Sequence, residues 1–143
     1  MASQLFEFAF FKRHREYAAL SIRLIIGAFI VYGVQDNVFS RAQMQEFAHF
    51  LAAKGVPLPL FAAFLSAYTQ FVCGILILLG AGVRLISIPF IINFIAAIII
   101  AHRGDTFQGM FAALLMIFVG LFFLFHGAGK FSVDDWWERR SKH

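Results

Sequence analysis

Four stretches of the chain are apolar almost without interruption: positions 17–35, 58–80, 84–101 and 106–127. In the first, Ser21 and Arg23 are the breaks before Gly33 and Gln35. An α-helix needs about 20 residues to cross the hydrocarbon core of a bilayer. A membrane strand crosses in about 9–11 residues and alternates in polarity. These runs are too long and too uniformly apolar for strands. The pattern predicts an all-α membrane protein, a bundle of four transmembrane helices.

Positions 40–54 follow a different rule. Met44, Phe47, Phe50 and Leu51 recur at helical spacing, and Arg41, Gln45, Glu46 and His49 fall largely on other faces. Ser40 is placed to cap this helix, with Gln43 at the capping-box position. Gly55-Val56-Pro57-Leu58-Pro59 stops it. The expectation is an amphipathic helix on the outer membrane surface or tucked over the bundle. Gln4 to Glu16, within the segment 1–16, reads as a second interfacial helix, and 128–143 as a tail. The first apolar run lacks a small-residue cleavage site and is expected to stay as the first span.

Composition agrees with lipid as the solvent. Of 143 residues, 61% are hydrophobic and 14% charged; a soluble domain carries about 25% charged residues. The net charge of +4 follows topology and gives no reason to expect a nucleic-acid partner. Four spans place both termini on one side. Lys12, Arg13, Arg15, Arg84, Lys130, Arg139, Arg140 and Lys142 fall on that side, against Arg41, Lys54 and Arg103 on the other. Basic loops stay inside, so both termini are expected in the cytoplasm of a bacterial cell with the chain in its inner membrane. The single cysteine, Cys73, permits no intramolecular disulfide.

Close helix approach in lipid needs small residues. Ala113, Gly120 and Gly127 recur every seven positions in the fourth span. Pro89, Asn93, Ala97 and Ala101 recur every four in the third, as do Ser66, Gln70 and Gly74 in the second. Each stripe is expected to face inward, with Pro89 in the opening turns of its helix.

Polar residues within the spans are costly and mark candidate sites. Arg23 and His126 fall near the inner end, and Gln70 and Asn93 near the midplane. Arg23, Tyr68, Gln70 and Asn93 form a candidate intramembrane pocket. Asp36, His102, Arg103 and Asp105 form a candidate outer cluster. Each has a plainer reading: Arg23 snorkelling to phosphates, Gln70 and Asn93 in an interhelical hydrogen bond, and the outer residues in a solvated loop. Glu46 and His49 supply one Glu-x-x-His pair, whereas a di-iron bundle uses two, so no metal is expected. No nucleotide-binding or nucleophile-elbow motif occurs.

With these residues placed, the chain resembles the DoxX family of small four-helix bacterial membrane proteins, over about Ala18 to Trp136. The resemblance rests on Arg23-Leu24-Ile25-Ile26-Gly27, on Gly74-Ile75-Leu76-Ile77-Leu78-Leu79-Gly80 followed by Arg84, and on His102. It also rests on the closing motif of Gly127, Gly129, Lys130, Phe131, Ser132 and Asp134. Many members carry Glu where Gln70 stands, and a Gln carries no proton. The resemblance implies a membrane subunit of a quinone-linked redox system, with no intrinsic cofactor and a quinone as the ligand. Protein partners in such a complex, or a second copy of the chain, would complete it. Two alternatives stand beside this reading. One is a non-catalytic scaffold or assembly factor, since no complete catalytic constellation is present. The other is a small-molecule transporter, against which counts the absence of a carboxylate at midplane depth.

Overall fold

The computed structural model describes residues 8–143. Those residues form seven helices: α1 Ala9–Arg13, α2 Glu16–Phe39, α3 Arg41–Ala53, α4 Pro59–Leu79, α5 Val83–Ile100, α6 Phe107–His126 and α7 Val133–Ser141. Four of them, α2, α4, α5 and α6, are long and apolar enough to cross a membrane. The all-helical fold with four spans is the one the hydropathy pattern predicts. Residues 4–7 of the expected amino-terminal interfacial helix lie outside the described residues; the remainder is the short α1, broken from α2 at His14 and Arg15.

The ends of the elements follow local chemistry. Helix α2 runs on to Phe39, beyond the predicted end at 35, because nothing before Ser40 breaks the helix. Ser40 turns to extended backbone and serves both neighbours. Its N–H reaches the Asp36 carbonyl at 2.8 Å, and its hydroxyl accepts the Gln43 N–H at 3.4 Å. Pro59 opens α4, where a missing N–H costs nothing. Gly80 closes it at φ +71°, and the Gly80 and Ala81 N–H groups return to the Ile77 and Leu76 carbonyls. Thr106 caps α6 through the Gly109 N–H at 3.2 Å, and Ser132 caps α7 through the Asp135 N–H at 3.2 Å.

Helices α2 and α4 pack along their lengths, as do α5 and α6, and the two pairs join along α4 and α5. One stripe of α2 is buried: Ala19, Arg23, Gly27 and Ile30. At Gly27 an added methyl would sit 2.6 Å from Leu78 Cγ, and at Gly74 2.8 Å from Val31 Cγ2. The α2–α4 crossing therefore depends on having hydrogen at both positions. Ala113 and Gly120 of α6 are buried, as is Gly127 just past its end, and a methyl at Gly120 would meet Ile91 at 2.5 Å. The prediction for the third span needs correction. Pro89 is exposed, and the buried face of α5 is Val83, Ser87, Phe90 and Phe94. Ser87 reaches that face without cost because its hydroxyl donates to the Val83 carbonyl at 2.6 Å. The outward surface is apolar, with Ile25, Phe29, Phe61, Ile92 and Phe118 all exposed, as suits contact with lipid.

Helix α3 is tucked over the bundle. Met44, Ala48 and Leu51 are buried with Ala63 and Ala67 of α4, and Val38 of α2 and Ile100 of α5 pack beside them. Phe50, expected on this face, points away and is exposed; Ala48 takes its place, because a small side chain permits the closer approach.

Candidate functional site

Three groups of polar residues emerge. The first sits where α2 begins and α4 ends. Arg23 is 1% exposed, so it does not snorkel. Its Nε donates to the Ile77 carbonyl at 3.0 Å and its Nη2 to the Leu78 carbonyl at 3.1 Å. Its Nη1 donates to the Ala128 carbonyl at 3.1 Å, and both terminal nitrogens reach the Phe131 carbonyl at 3.3 and 3.2 Å. Every one of these acceptors is backbone. The last carbonyls of a helix lack intrahelical donors and carry partial negative charge, so the end of α4 serves as the counter-charge. The planar fork of guanidinium donors suits several carbonyls at once in a way a lysine does not.

The closing motif is folded around that guanidinium. Phe131 adopts φ +59°, a left-handed conformation costing roughly 1 kcal/mol for a residue with a Cβ, and this turns its carbonyl onto Arg23. Gly80 lies beneath. A methyl there would stand 2.9 Å from Arg23 Cζ and would overlap Ser132 Cβ. Asp134 accepts the Gly82 N–H at 2.6 Å and the Val83 N–H at 3.1 Å, capping α5 from 51 residues away. The Asp134 N–H in turn donates to the Gly80 carbonyl at 3.0 Å. Ser132 donates to the Gly129 carbonyl at 2.6 Å, and the Lys130 N–H donates to Glu16 Oε2 at 3.2 Å. Arg84 Nη2 donates to the Phe125 and His126 carbonyls at 3.3 and 3.4 Å. The segment 127–134 thus fastens the ends of α2, α4, α5 and α6 together.

The second group lies at mid-span. Gln70 Nε2 donates to Ser66 Oγ at 3.2 Å, and Ser66 Oγ donates to Asn93 Oδ1 at 2.8 Å. This chain bridges α4 and α5. Asn93 Nδ2 is buried and has no hydrogen-bond partner among the described residues. Two members of the expected pocket are absent from it. Arg23 belongs to the closing end, and Tyr68 stacks on Phe64 on the exposed face of α4. Ser66, which the sequence offered only as a packing residue, is the link.

The third group joins two of the four expected outer residues. His102 Nδ1 and Asp105 Oδ2 stand 3.0 Å apart, and Asp105 Oδ1 accepts the Thr106 N–H at 2.8 Å. The His102 hydrogen bond, followed by that of Thr106, holds the Asp105 carboxyl below its ordinary range. Arg103 and Asp36 are exposed, with no side-chain hydrogen bond or ion pair to this pair.

Fold and sites together define a multi-pass integral membrane protein with a polar seam at mid-span and a fastened end. A profile of the DoxX family matches residues 18–103, and the chain belongs to that family. The match ends before the closing motif, which the sequence resemblance had included. An uncharacterized membrane protein of Mycobacterium tuberculosis is 28% identical over 133 residues, covering 82% of this chain and 79% of that protein. No solved structure matches.

Proposed function

We propose that the chain is a non-autonomous membrane subunit of a quinone-linked redox system, with both termini cytoplasmic in the bacterial inner membrane. The observation that carries the reading is Asn93 Nδ2, a buried amide donor at mid-span with no partner among the described residues. It lies on the α4–α5 seam beside Gln70 and Ser66. An unmade buried donor costs about 1–3 kcal/mol, and a ligand carbonyl removes that cost. A quinone ring asks for this environment: an apolar slot with one or two donors. Electrons enter and leave through a partner that holds the redox centre. The eight basic residues on the terminal side of the spans support the orientation.

The test is native mass spectrometry of the protein extracted from membranes in mild detergent, with wild type, Gln70→Ala and Asn93→Ala compared. Wild type should retain quinone, and Asn93→Ala should lose it. A wild type free of quinone, or equal retention by all three, refutes the reading.

A scaffold role is the second reading. It is supported by the engagement of the closing motif in helix capping and by the exposed Trp136 and Trp137 that follow it. A photo-crosslinker at position 137 that captures a defined protein in native membranes supports docking there; one that captures lipid alone counts against it.

A further inference from the structure

The closing end carries a cavity of about 590 Å³, within the size range of small-molecule sites. Charges of both signs line it: Arg84 and Lys130, and Glu16, Asp134, Asp135 and Glu138. Most of the acids are already engaged. Asp134 holds the Gly82 and Val83 N–H groups. Asp135 pairs with Arg139 at 2.9 Å. Glu16 accepts the Lys130 N–H at 3.2 Å and lies 3.7 Å from Arg15 Nε. Besides Asp134, whose carboxylate is held by backbone N–H groups, three lining charges have no ionic partner among the described residues. The Arg84 guanidinium meets only the carbonyls of Phe125 and His126. The ammonium of Lys130 and the carboxylate of Glu138 meet neither an opposite charge nor a hydrogen-bond partner.

Two cations and one carboxylate left open in one cavity suit a ligand that carries an anion and a cation together. A phosphodiester linked to a primary ammonium has that chemistry. The position selects the source. The cavity lies at the level where the four spans end, and Trp137, exposed in its lining, is a residue type enriched at the headgroup region. Leu85 also lines it and is 74% exposed on the apolar flank of α5. Acyl chains therefore have a path from the cavity into the bilayer. We propose that this cavity seats the headgroup of an ammonium-bearing phospholipid, with the phosphate at Arg84 and Lys130 and the ammonium at Glu138. A purely anionic headgroup leaves Glu138 unanswered and adds a like charge beside it.

The experiment uses the full chain in nanodiscs containing equal parts of phosphatidylethanolamine and phosphatidylglycerol. It is released into the gas phase, and retained lipid is read by native mass spectrometry. Wild type should retain phosphatidylethanolamine over phosphatidylglycerol by about fivefold, the scale of one partly exposed ionic contact. Glu138→Gln should remove the preference, and Lys130→Gln should lower retention of both lipids. Neither side chain has a structural partner among the described residues, so thermal unfolding in lipid-free micelles should match wild type and exclude misfolding as the cause. Equal retention of the two lipids by wild type, or a preference untouched by Glu138→Gln, overturns the proposal. A soluble phosphoethanolamine that displaces the lipid at equal concentration overturns the lipid assignment in favour of a soluble ligand of the same chemistry.

Discussion

Replacing Arg23 with Met keeps the length and the apolar stem but removes five donor contacts of 3.0–3.3 Å. The four acceptor carbonyls do not suffer equally. Ile77 keeps the Gly80 N–H. Those of Leu78, Ala128 and Phe131 have no other donor among the described residues. A buried acceptor left unmade costs about 1–3 kcal/mol, and water reaching this end of the bundle brings each toward the lower limit. Three such groups give a loss of about 3 kcal/mol. Removing the desolvated charge offsets part of this only where the partners are removed too, and here they are backbone and stay. Lysine restores a charge but offers no fork, so Arg23→Lys should recover less than half of the loss. The assay is reversible unfolding in mixed micelles by SDS titration, with limited proteolysis after Lys130 as a local readout. Arg23→Met should unfold earlier and expose the segment 127–134 to protease. A variant within about 0.5 kcal/mol of wild type, the scatter of neutral surface changes, with its tail still protected, refutes the reasoning.

Four further outcomes follow from the structure. Gly80→Ala should destabilise by more than about 2 kcal/mol, because the left-handed penalty of about 1 kcal/mol is joined by overlap with Ser132 and Arg23. Gly82→Ala, at φ +59° with open space around it, should show the penalty alone in the same SDS titration. Asp134→Ala should cost about 1–2 kcal/mol as a lost helix cap, read by SDS titration and by faster amide exchange at Gly82 and Val83. Asp105 has a folded pKa below its ordinary value of 3.8, chiefly through the His102 hydrogen bond. Its stabilising contribution is therefore complete above that value and lost as pH falls through the lowered folded pKa. In His102→Ala, carboxyl NMR should show the Asp105 titration moving up toward the ordinary value.

The four spans were legible because length and apolarity alone define them, and the cap at Ser40 sits beside the helix it starts. Faces were harder to read. In water a helix advertises its buried side by contrast, but in lipid both sides are apolar. Spacing therefore places Pro89 on an inward stripe, although it is exposed, and Tyr68 of the candidate pocket is exposed as well. Glycines carried more information: Gly27, Gly74 and Gly120 mark the crossings because only a missing Cβ fits there. The role of Arg23 was hidden for a different reason. Its acceptors are backbone carbonyls 54 to 108 residues away, and a carbonyl leaves no residue-type signal. Asp134 stood in the sequence only as part of the closing motif, while its carboxylate caps α5. Of the candidate pocket, Gln70 and Asn93 lie on one hydrogen-bonded chain through Ser66, which was visible only as a small residue four positions before Gln70.

The most direct measurement is solid-state NMR in lipid bilayers, with arginine labelled in its guanidinium nitrogens and the carbonyl carbons of Ala128 and Phe131 labelled in turn. The structure predicts through-space coupling from the Arg23 nitrogens to both carbonyls, as expected for nitrogen–oxygen contacts of 3.1–3.3 Å, and none to lipid phosphorus. Coupling of Arg23 to lipid phosphorus, with no contact to either carbonyl, would contradict the claim that the closing segment is fastened to the bundle through this buried arginine.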